Sequence, residues 1–111
     1  MERLFTEEEK HALQGLMLSN TSFDGVDFIG ADLTDAVFRR VSLVGADFRG
    51  ARLLHTRFLY CDLREAQFDG STLLRGSRFD GSNLSGARGL TPASKGLIRR
   101  AGGVFPVAHL I

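Results

Sequence analysis

A large apolar residue occupies every fifth position of the sequence from Phe23 to Leu73, and this period constrains the fold more than any other feature. The members of the series are Phe23, Phe28, Leu33, Phe38, Leu43, Phe48, Leu53, Phe58, Leu63, Phe68 and Leu73. After one extra residue, the series resumes at Phe79 and Leu84. A small or slender residue stands two positions before each member. The period matches neither the roughly 3.6 residues of a helix nor the 2 of a strand.

A continuous helix is excluded because it would spread these apolar residues around its whole surface and include many glycines, each costing about 1 kcal/mol. A repeated unit of one short extended segment and one turn fits better. Alternation along the extended segment points the large residue and the residue two before it inward. The turn position, two after the large residue, favours glycine because its φ is positive. This position holds Gly25, Gly30, Gly45, Gly50, Gly70, Gly81 and Gly86.

The units Ala31–Asp35, Ala46–Gly50 and Ser82–Gly86 resemble the pentapeptide-repeat family, whose consensus is A-(D/N)-L-x-x. The resemblance implies an all-β solenoid over residues 21–90, a right-handed quadrilateral parallel β-helix with four units per coil. It also implies a bacterial source, since many members are bacterial. The repeat motif itself contains no functional residues, so the resemblance assigns none to this chain.

Sorting the series by four predicts four columns of stacked side chains in the core. Two phenylalanine columns face each other, and the other two sides are mainly leucine. The columns are Phe28–Phe48–Phe68, Phe38–Phe58–Phe79, Leu33–Leu53–Leu73 and Phe23–Leu43–Leu63. The extra residue is predicted to form a bulge within Leu74–Gly76, after which the register recovers at Phe79.

The first 20 residues are predicted to form a short helical cap. Thr6 and Glu9 have the spacing of a capping box, which satisfies free amides at a helix start. Leu13, Leu16 and Met17 are expected on one face of that helix, covering the open end of the repeats.

Residues 91–111 are predicted to form a second helix and an apolar tail. Thr91 and Pro92 read as N-cap and first helical residue, and the helix should run to about Arg100. The tail is expected either to cover the last coil or to form a homodimer. Its candidate contact residues are Val104, Phe105, Val107, Leu110 and Ile111.

The residue types that carry catalysis or bind metals do not cluster in the sequence. Cys61 occupies a small inward position and is expected to be an inert core thiol. His11, His55 and His109 lie in three separate segments, without the spacing of metal ligands. We therefore predict a protein that is not an enzyme, with no catalytic residues, cofactor or metal.

Winding the chain separates its charges, although the net charge is only +1. One side carries Asp24, Asp27, Asp47, Asp62, Glu65 and Asp69, against Arg49 and Arg64. The other side is rich in arginine and carries outward-facing leucines. The candidate interaction surface there comprises Arg39, Arg40, Arg52, Leu54, Arg57, Leu59, Tyr60, Arg75 and Arg78. Ordinary solubility is the alternative explanation of this charge separation. The set of outward apolar residues, Ile29, Val44, Leu54, Leu59 and Leu74, would contact either a partner or the returning tail.

The function predicted from these features is a non-catalytic protein-interaction scaffold with an unidentified partner. The family resemblance implies one alternative, since some members bind DNA gyrase or topoisomerase IV through an acidic, duplex-like rod and inhibit or protect the enzyme. The short rod and its arginine-rich face disfavour that alternative. Neither direct nucleic-acid binding nor membrane insertion is expected. A single cysteine and an acidic N-terminus without an apolar signal segment predict a cytoplasmic protein.

Overall fold

The computed structural model describes residues 5–106. Its elements in chain order are α1 (Glu7–Lys10), β1 (Met17–Ser19), β2 (Val37–Arg39), β3 (Arg57–Leu59) and α2 (Pro92–Arg100). The three strands form one parallel sheet in the order β1-β2-β3.

Each coil of the fold contains four five-residue units. Strand residues pair with residues 20 positions later, as Met17 pairs with Val37. Isolated parallel bridges in the earlier part of the chain keep the same spacing, for example between Ser22 and Ser42, whereas those to Leu73 and later residues span 21 positions. Most units turn through a hydrogen bond from the small residue to the preceding large one, such as Ala31 N to Phe28 O (3.0 Å), whereas Cys61 N donates to Ser82 Oγ instead. The chain is therefore a β-solenoid of stacked repeats.

The two phenylalanine columns form the centre of the core, where their rings are fully or almost fully buried. In one column Phe48 lies 5.6 Å from Phe28 and 5.5 Å from Phe68, measured between ring centroids. In the other, Phe58 lies 5.0 Å from both Phe38 and Phe79. The columns meet edge to face, the geometry that aromatic quadrupoles favour. Fully buried aliphatic members of the series are Leu33, Leu43, Leu53, Leu63 and Leu84, whereas Phe23 in the first coil is half-buried.

The extra residue lies before Leu73, so the prediction that Leu73 fills the core is wrong. Leu73 is 43% exposed, while Leu74 is 8% exposed and joins the core. The bridge from Arg52 to Leu73 spans 21 residues, which places the insertion between Phe68 and Leu73. The predicted bulge within Leu74–Gly76 is wrong for the same reason. Leu74 therefore also leaves the predicted outward apolar set.

Asp69 holds the inserted segment in place. Its Oδ1 accepts hydrogen bonds from Gly50 N (3.0 Å), Ser71 N (3.0 Å) and Ser71 Oγ (2.8 Å). The Thr72 hydroxyl donates to Phe48 O at 2.8 Å. The other predicted glycine turns have positive φ, whereas Gly70, inside this segment, does not.

At the N-terminus the helix is shorter and the repeats begin earlier than predicted. Thr6 and Glu9 form the capping box, but α1 ends at Lys10. Leu13 is buried in the core cluster, and Met17, in β1, is 75% exposed. The expectation that Leu13, Leu16 and Met17 share a helical face is therefore wrong. Phe5, just before α1, stacks on Phe28 at 5.6 Å and extends that phenylalanine column.

Lys10 fastens α1 to the first coil. Its side chain is buried, and its Nζ lies 2.9 Å from Asp27 Oδ1 and 3.1 Å from Glu7 Oε1. The Lys10 carbonyl also accepts the Asp32 amide at 2.8 Å.

At the other end α2 packs on the last coil. Thr91 Oγ1 accepts the Ser94 amide, and Ile98 is fully buried. The chain then returns to pair with the last repeats, since Leu84 N donates to Val104 O at 2.8 Å. Arg99 lies over the Phe105 ring at 4.9 Å. The remaining predicted contact residues, Val107, Leu110 and Ile111, lie outside the described residues. No helix within 5–106 has the length and apolar character needed to cross a membrane.

Candidate interaction surface

The outward face of the β1-β2-β3 sheet carries a group of arginines. In these strands Phe38 and Phe58 point into the core, so the residues on either side of them point outward. Arg57 pairs in register with Arg78 of the next coil, and Arg39 pairs with Leu59. The three arginines are exposed and Leu59 is half-buried. We call this surface, together with Arg40 and Tyr60 at its edge, the basic sheet face.

A stack of turn residues borders the basic sheet face. The Arg40 guanidinium lies 5.4 Å from the centroid of the Tyr60 ring. Tyr60 in turn lies over Gly81, where a Cβ would meet Tyr60 Cδ1 at 2.5 Å. Arg40 and Tyr60 both occupy turn positions with positive φ (53° and 55°). Tyr60 remains 61% exposed and presents an aromatic edge beside the arginines.

The basic sheet face has more cations than anions to balance them. Arg78 pairs with Asp80 at 2.6 Å. Arg39 and Arg57 form no ion pair with any residue in 5–106. Like charges directly opposite each other on neighbouring strands are destabilising, and Arg57 stands opposite Arg78. An anion bound at this face would therefore offset the repulsion between Arg57 and Arg78.

The predicted acidic side is largely balanced within the chain. Arg49 and Arg64 each form bidentate hydrogen bonds to the aspartate two residues earlier, with shortest distances of 2.7 Å to Asp47 and Asp62. The Arg64 hydrogen bonds hold the pKa of Asp62 below its ordinary value, and Asp62 raises the pKa of Arg64. Asp24 accepts from the Ser42 hydroxyl and the Val44 amide. The basic sheet face therefore carries arginines without an ion pair in the described region, whereas Arg49 and Arg64 on the acidic side are both paired.

The structure divides the predicted surface set into two groups. Arg39, Arg40, Arg57, Leu59, Tyr60 and Arg78 share the basic sheet face. Arg52, Leu54 and Arg75 belong to the preceding side of the coil. There, Arg52 lies 3.9 Å from Asp32, while Leu54 and Arg75 line a cleft against α2.

Two apolar residues of the basic sheet face escaped the sequence analysis. Met17 and Val37 precede Leu18 and Phe38 in β1 and β2, and Met17 is largely exposed. The five-residue count extends back from Phe23 to Leu18, and placing Met17 in that series instead of on the N-terminal helix would have found it.

Cys61, His11 and His55 form no catalytic arrangement with other residues in 5–106, and His109 lies outside the described residues. Cys61 is buried, and its Sγ lies 3.2 Å from Phe38 O. Burial raises the pKa of the thiol, which disfavours the reactive thiolate. His55 packs over Gly76 at a turn. Within the described residues, no three His, Cys, Asp or Glu side chains gather as a metal site.

The family model for pentapeptide repeats matches residues 17–53 and 36–73 with 8 copies, which together cover more than half of the chain. The chain belongs to the pentapeptide-repeat family. No curated protein sequence matches it.

Solved structures that are similar to this pentapeptide-repeat chain include the following three, all at TM-scores below 0.5. A pentapeptide repeat protein from the Arabidopsis thaliana thylakoid lumen has a TM-score of 0.48 and 22% identity over 85% of this chain. This chain spans 61% of that protein's length. HetL, involved in heterocyst differentiation regulation in the cyanobacterium Nostoc, has a TM-score of 0.33 and 28% identity, covering 68% of this chain and 38% of HetL. QnrB1, a plasmid-mediated fluoroquinolone resistance protein, has a TM-score of 0.30 and 22% identity, covering 70% and 69%.

Proposed function

We propose that this chain is a non-catalytic scaffold that binds an acidic protein partner through the basic sheet face. The observation that carries the proposal is the contrast in unpaired charge. Arg39 and Arg57 are exposed without an ion pair in the described region, whereas Arg49 and Arg64 are already engaged by Asp47 and Asp62. Charge-assisted hydrogen bonds to carboxylates are among the strongest that an arginine can form.

The composition of the face supports a protein partner over a nucleic acid. Tyr, Met and Arg are the residue types enriched at the centres of protein interfaces. The face includes exposed Tyr60 and Met17 beside the arginines. Nucleic acids favour long basic tracks that neutralise many phosphates, whereas the basic sheet face offers four arginines, Arg39, Arg40, Arg57 and Arg78.

The scaffold itself is a right-handed quadrilateral β-helix whose two ends are covered by the chain's own terminal segments. Buried Lys10 and Leu13 support this at the first coil. Buried Ile98 and the pairing of Val104 support it at the last coil. Because Phe105 already contacts Arg99 of the same chain, the described part of the tail favours an internal cap over the homodimer contact. Light scattering after size-exclusion chromatography distinguishes the internal cap from the homodimer contact, because an internal cap predicts a monomer.

A cytoplasmic location remains a prediction that rests on a single, unpaired cysteine. The topoisomerase-binding alternative gains little support from an acidic side on which Asp47 and Asp62 are paired with Arg49 and Arg64, and Asp27 with Lys10. A DNA gyrase supercoiling assay tests it, and no effect is expected at micromolar protein.

A capture experiment with matched variants tests the proposed partner class. The baits are the wild-type chain, Arg39→Glu/Arg57→Glu and the control Arg49→Glu/Arg64→Glu, which reverses two arginines on the other side. We expect at least one acidic protein to bind the wild type and the control but not the first variant. Loss of binding should also follow added salt, because exposed charges are screened. Equal capture by all three baits would contradict the proposal.

A further inference from the structure

A cleft separates the third coil from α2. It has a volume of about 680 Å³, and its walls include Leu54, Leu73 and Leu97, with Arg75 at its edge. Leu73 is 43% exposed, and Leu54 and Leu97 are half-buried. The insertion between Phe68 and Leu73 produces this wall, because it turns Leu73 outward and places Leu74 in the core.

Comparison of three repeat units explains why Arg75 is available to a ligand. Arg49, Arg64 and Arg75 each follow a large core residue directly. In the first two units the residue two before the arginine is Asp47 or Asp62, and its carboxylate binds the guanidinium. In the third unit that position is Leu73. Arg75 is exposed and forms no ion pair with residues 5–106.

We propose that this cleft binds a single-chain aliphatic carboxylate of medium length, such as a fatty acid. The hydrocarbon chain lies between Leu54, Leu73 and Leu97, and the carboxylate pairs with the Arg75 guanidinium, taking the place that aspartate holds in the other two units. The volume falls in the range of about 300–1,000 Å³ that small-molecule sites occupy, and the site joins apolar walls to one fixed charge. The proposal is independent of the basic sheet face.

Calorimetric titration of the full chain with dodecanoate, below its micelle concentration, tests the site. We expect saturable binding of one dodecanoate per chain. Leu73→Asp supplies the missing acid and makes the wall polar, and Arg75→Gln removes the charge. Each should weaken binding at least about tenfold, as expected for loss of a charge-assisted hydrogen bond. Arg64→Gln, at the equivalent position of a unit whose arginine is already paired, should bind like the wild type. Dodecanol should bind more weakly than dodecanoate.

Several results would overturn the proposal. They are the absence of saturable binding, equal affinity of Leu73→Asp and wild type, and equal affinity for dodecanol. If light scattering shows a dimer that Leu73→Asp dissociates, the cleft is a contact between copies and the proposal is also wrong. Because Arg75 is exposed, Arg75→Gln decides the matter even if Leu73→Asp fails to fold.

Discussion

At the scale of single residues, core stability depends on how many rings each phenylalanine contacts. Phe48 is fully buried and lies within 5.6 Å of Phe28, Phe58 and Phe68, measured between ring centroids. The strands are only three residues long, and the stacked rings add to the backbone hydrogen bonds that join each coil to the next, such as Arg52 N to Ala31 O.

Phe48→Ala is predicted to lower the free energy of unfolding by about 3–5 kcal/mol, because the truncation leaves a cavity in a closely packed column. Chemical denaturation of the two proteins measures the difference. Leu73→Ala is the control, since a half-exposed leucine at the surface should cost much less. A Phe48→Ala variant as stable as the control would disprove the column.

The carboxylate of Asp69 gives the inserted segment a dependence on pH. Hydrogen bonds from Ser71, and then from the Gly50 amide, hold its pKa below the ordinary value of 3.8. A pKa that is lower in the folded state than in the unfolded chain stabilises the fold above the unfolded value, and this stabilisation is lost as the pH falls through the folded one.

Asp69→Asn is therefore predicted to lower the melting temperature at pH 7. The gap between variant and wild type should narrow as the pH falls below about 4. Asp35→Asn is a suitable control, because Asp35 is exposed at a turn with positive φ (63°), which asparagine also adopts. Thermal melts at pH 7, 5 and 3 provide the comparison. A gap that stays constant across this range would show that the carboxylate charge has no part in holding the segment.

At the scale of elements, turn glycines differ in how closely the chain packs around them. Gly30 and Gly89 both have positive φ (68° and 81°). No atom lies within 4 Å of a Cβ built on Gly30, whereas a Cβ on Gly89 would fall on the carbonyl oxygen of Phe68. Gly89 therefore allows the last repeat to approach the coil before it.

Gly30→Ala should cost only the left-handed conformation, about 1–2 kcal/mol. Gly89→Ala adds a backbone clash that cannot be relieved by a side-chain movement, so we predict a clearly larger loss of stability. Denaturation of the pair measures the difference between them. Similar losses in both variants would mean that the last repeat does not pack as closely as described.

Some elements of the fold are predictable from the sequence and others are not. The period of five predicts the coil and the columns apart from Leu73, and the pair Thr91-Pro92 predicts the helix that starts at Pro92, because each depends on local spacing. The position of the inserted residue was not predictable in this way. Leu73 and Leu74 are adjacent and equally apolar, so only the hydrogen bonds of Asp69 and Thr72 to the coil below decide which one turns inward. Likewise, the contact of Phe5 with Phe28 joins segments that no period relates.

At the scale of the whole molecule, the stacking of coils explains both proposed sites. It pairs Arg39 with Leu59, 20 positions later, and Arg57 with Arg78, 21 positions later because of the inserted residue, and these pairs form the basic sheet face. The period of five indicates which residues point outward. It does not indicate that the candidate interaction surface divides into two groups. Which arginines are free depends on side-chain pairing, such as that of Arg49 with Asp47. The insertion before Leu73 then creates the cleft beside α2 as a second surface.

Disulfide formation between engineered cysteines tests this register most directly. In a Cys61→Ala background, the pair Arg52→Cys/Leu73→Cys joins bridge partners on neighbouring coils, at the strand spacing that a disulfide can span. The pair Arg52→Cys/Thr72→Cys matches the uninterrupted 20-residue count. We predict that mild oxidation links positions 52 and 73 within one chain and leaves 52 and 72 free, as read by mass spectrometry of peptides. Preferential linkage of 52 to 72 would place the insertion after Leu73 and contradict the coil register, and with it the wall of the cleft.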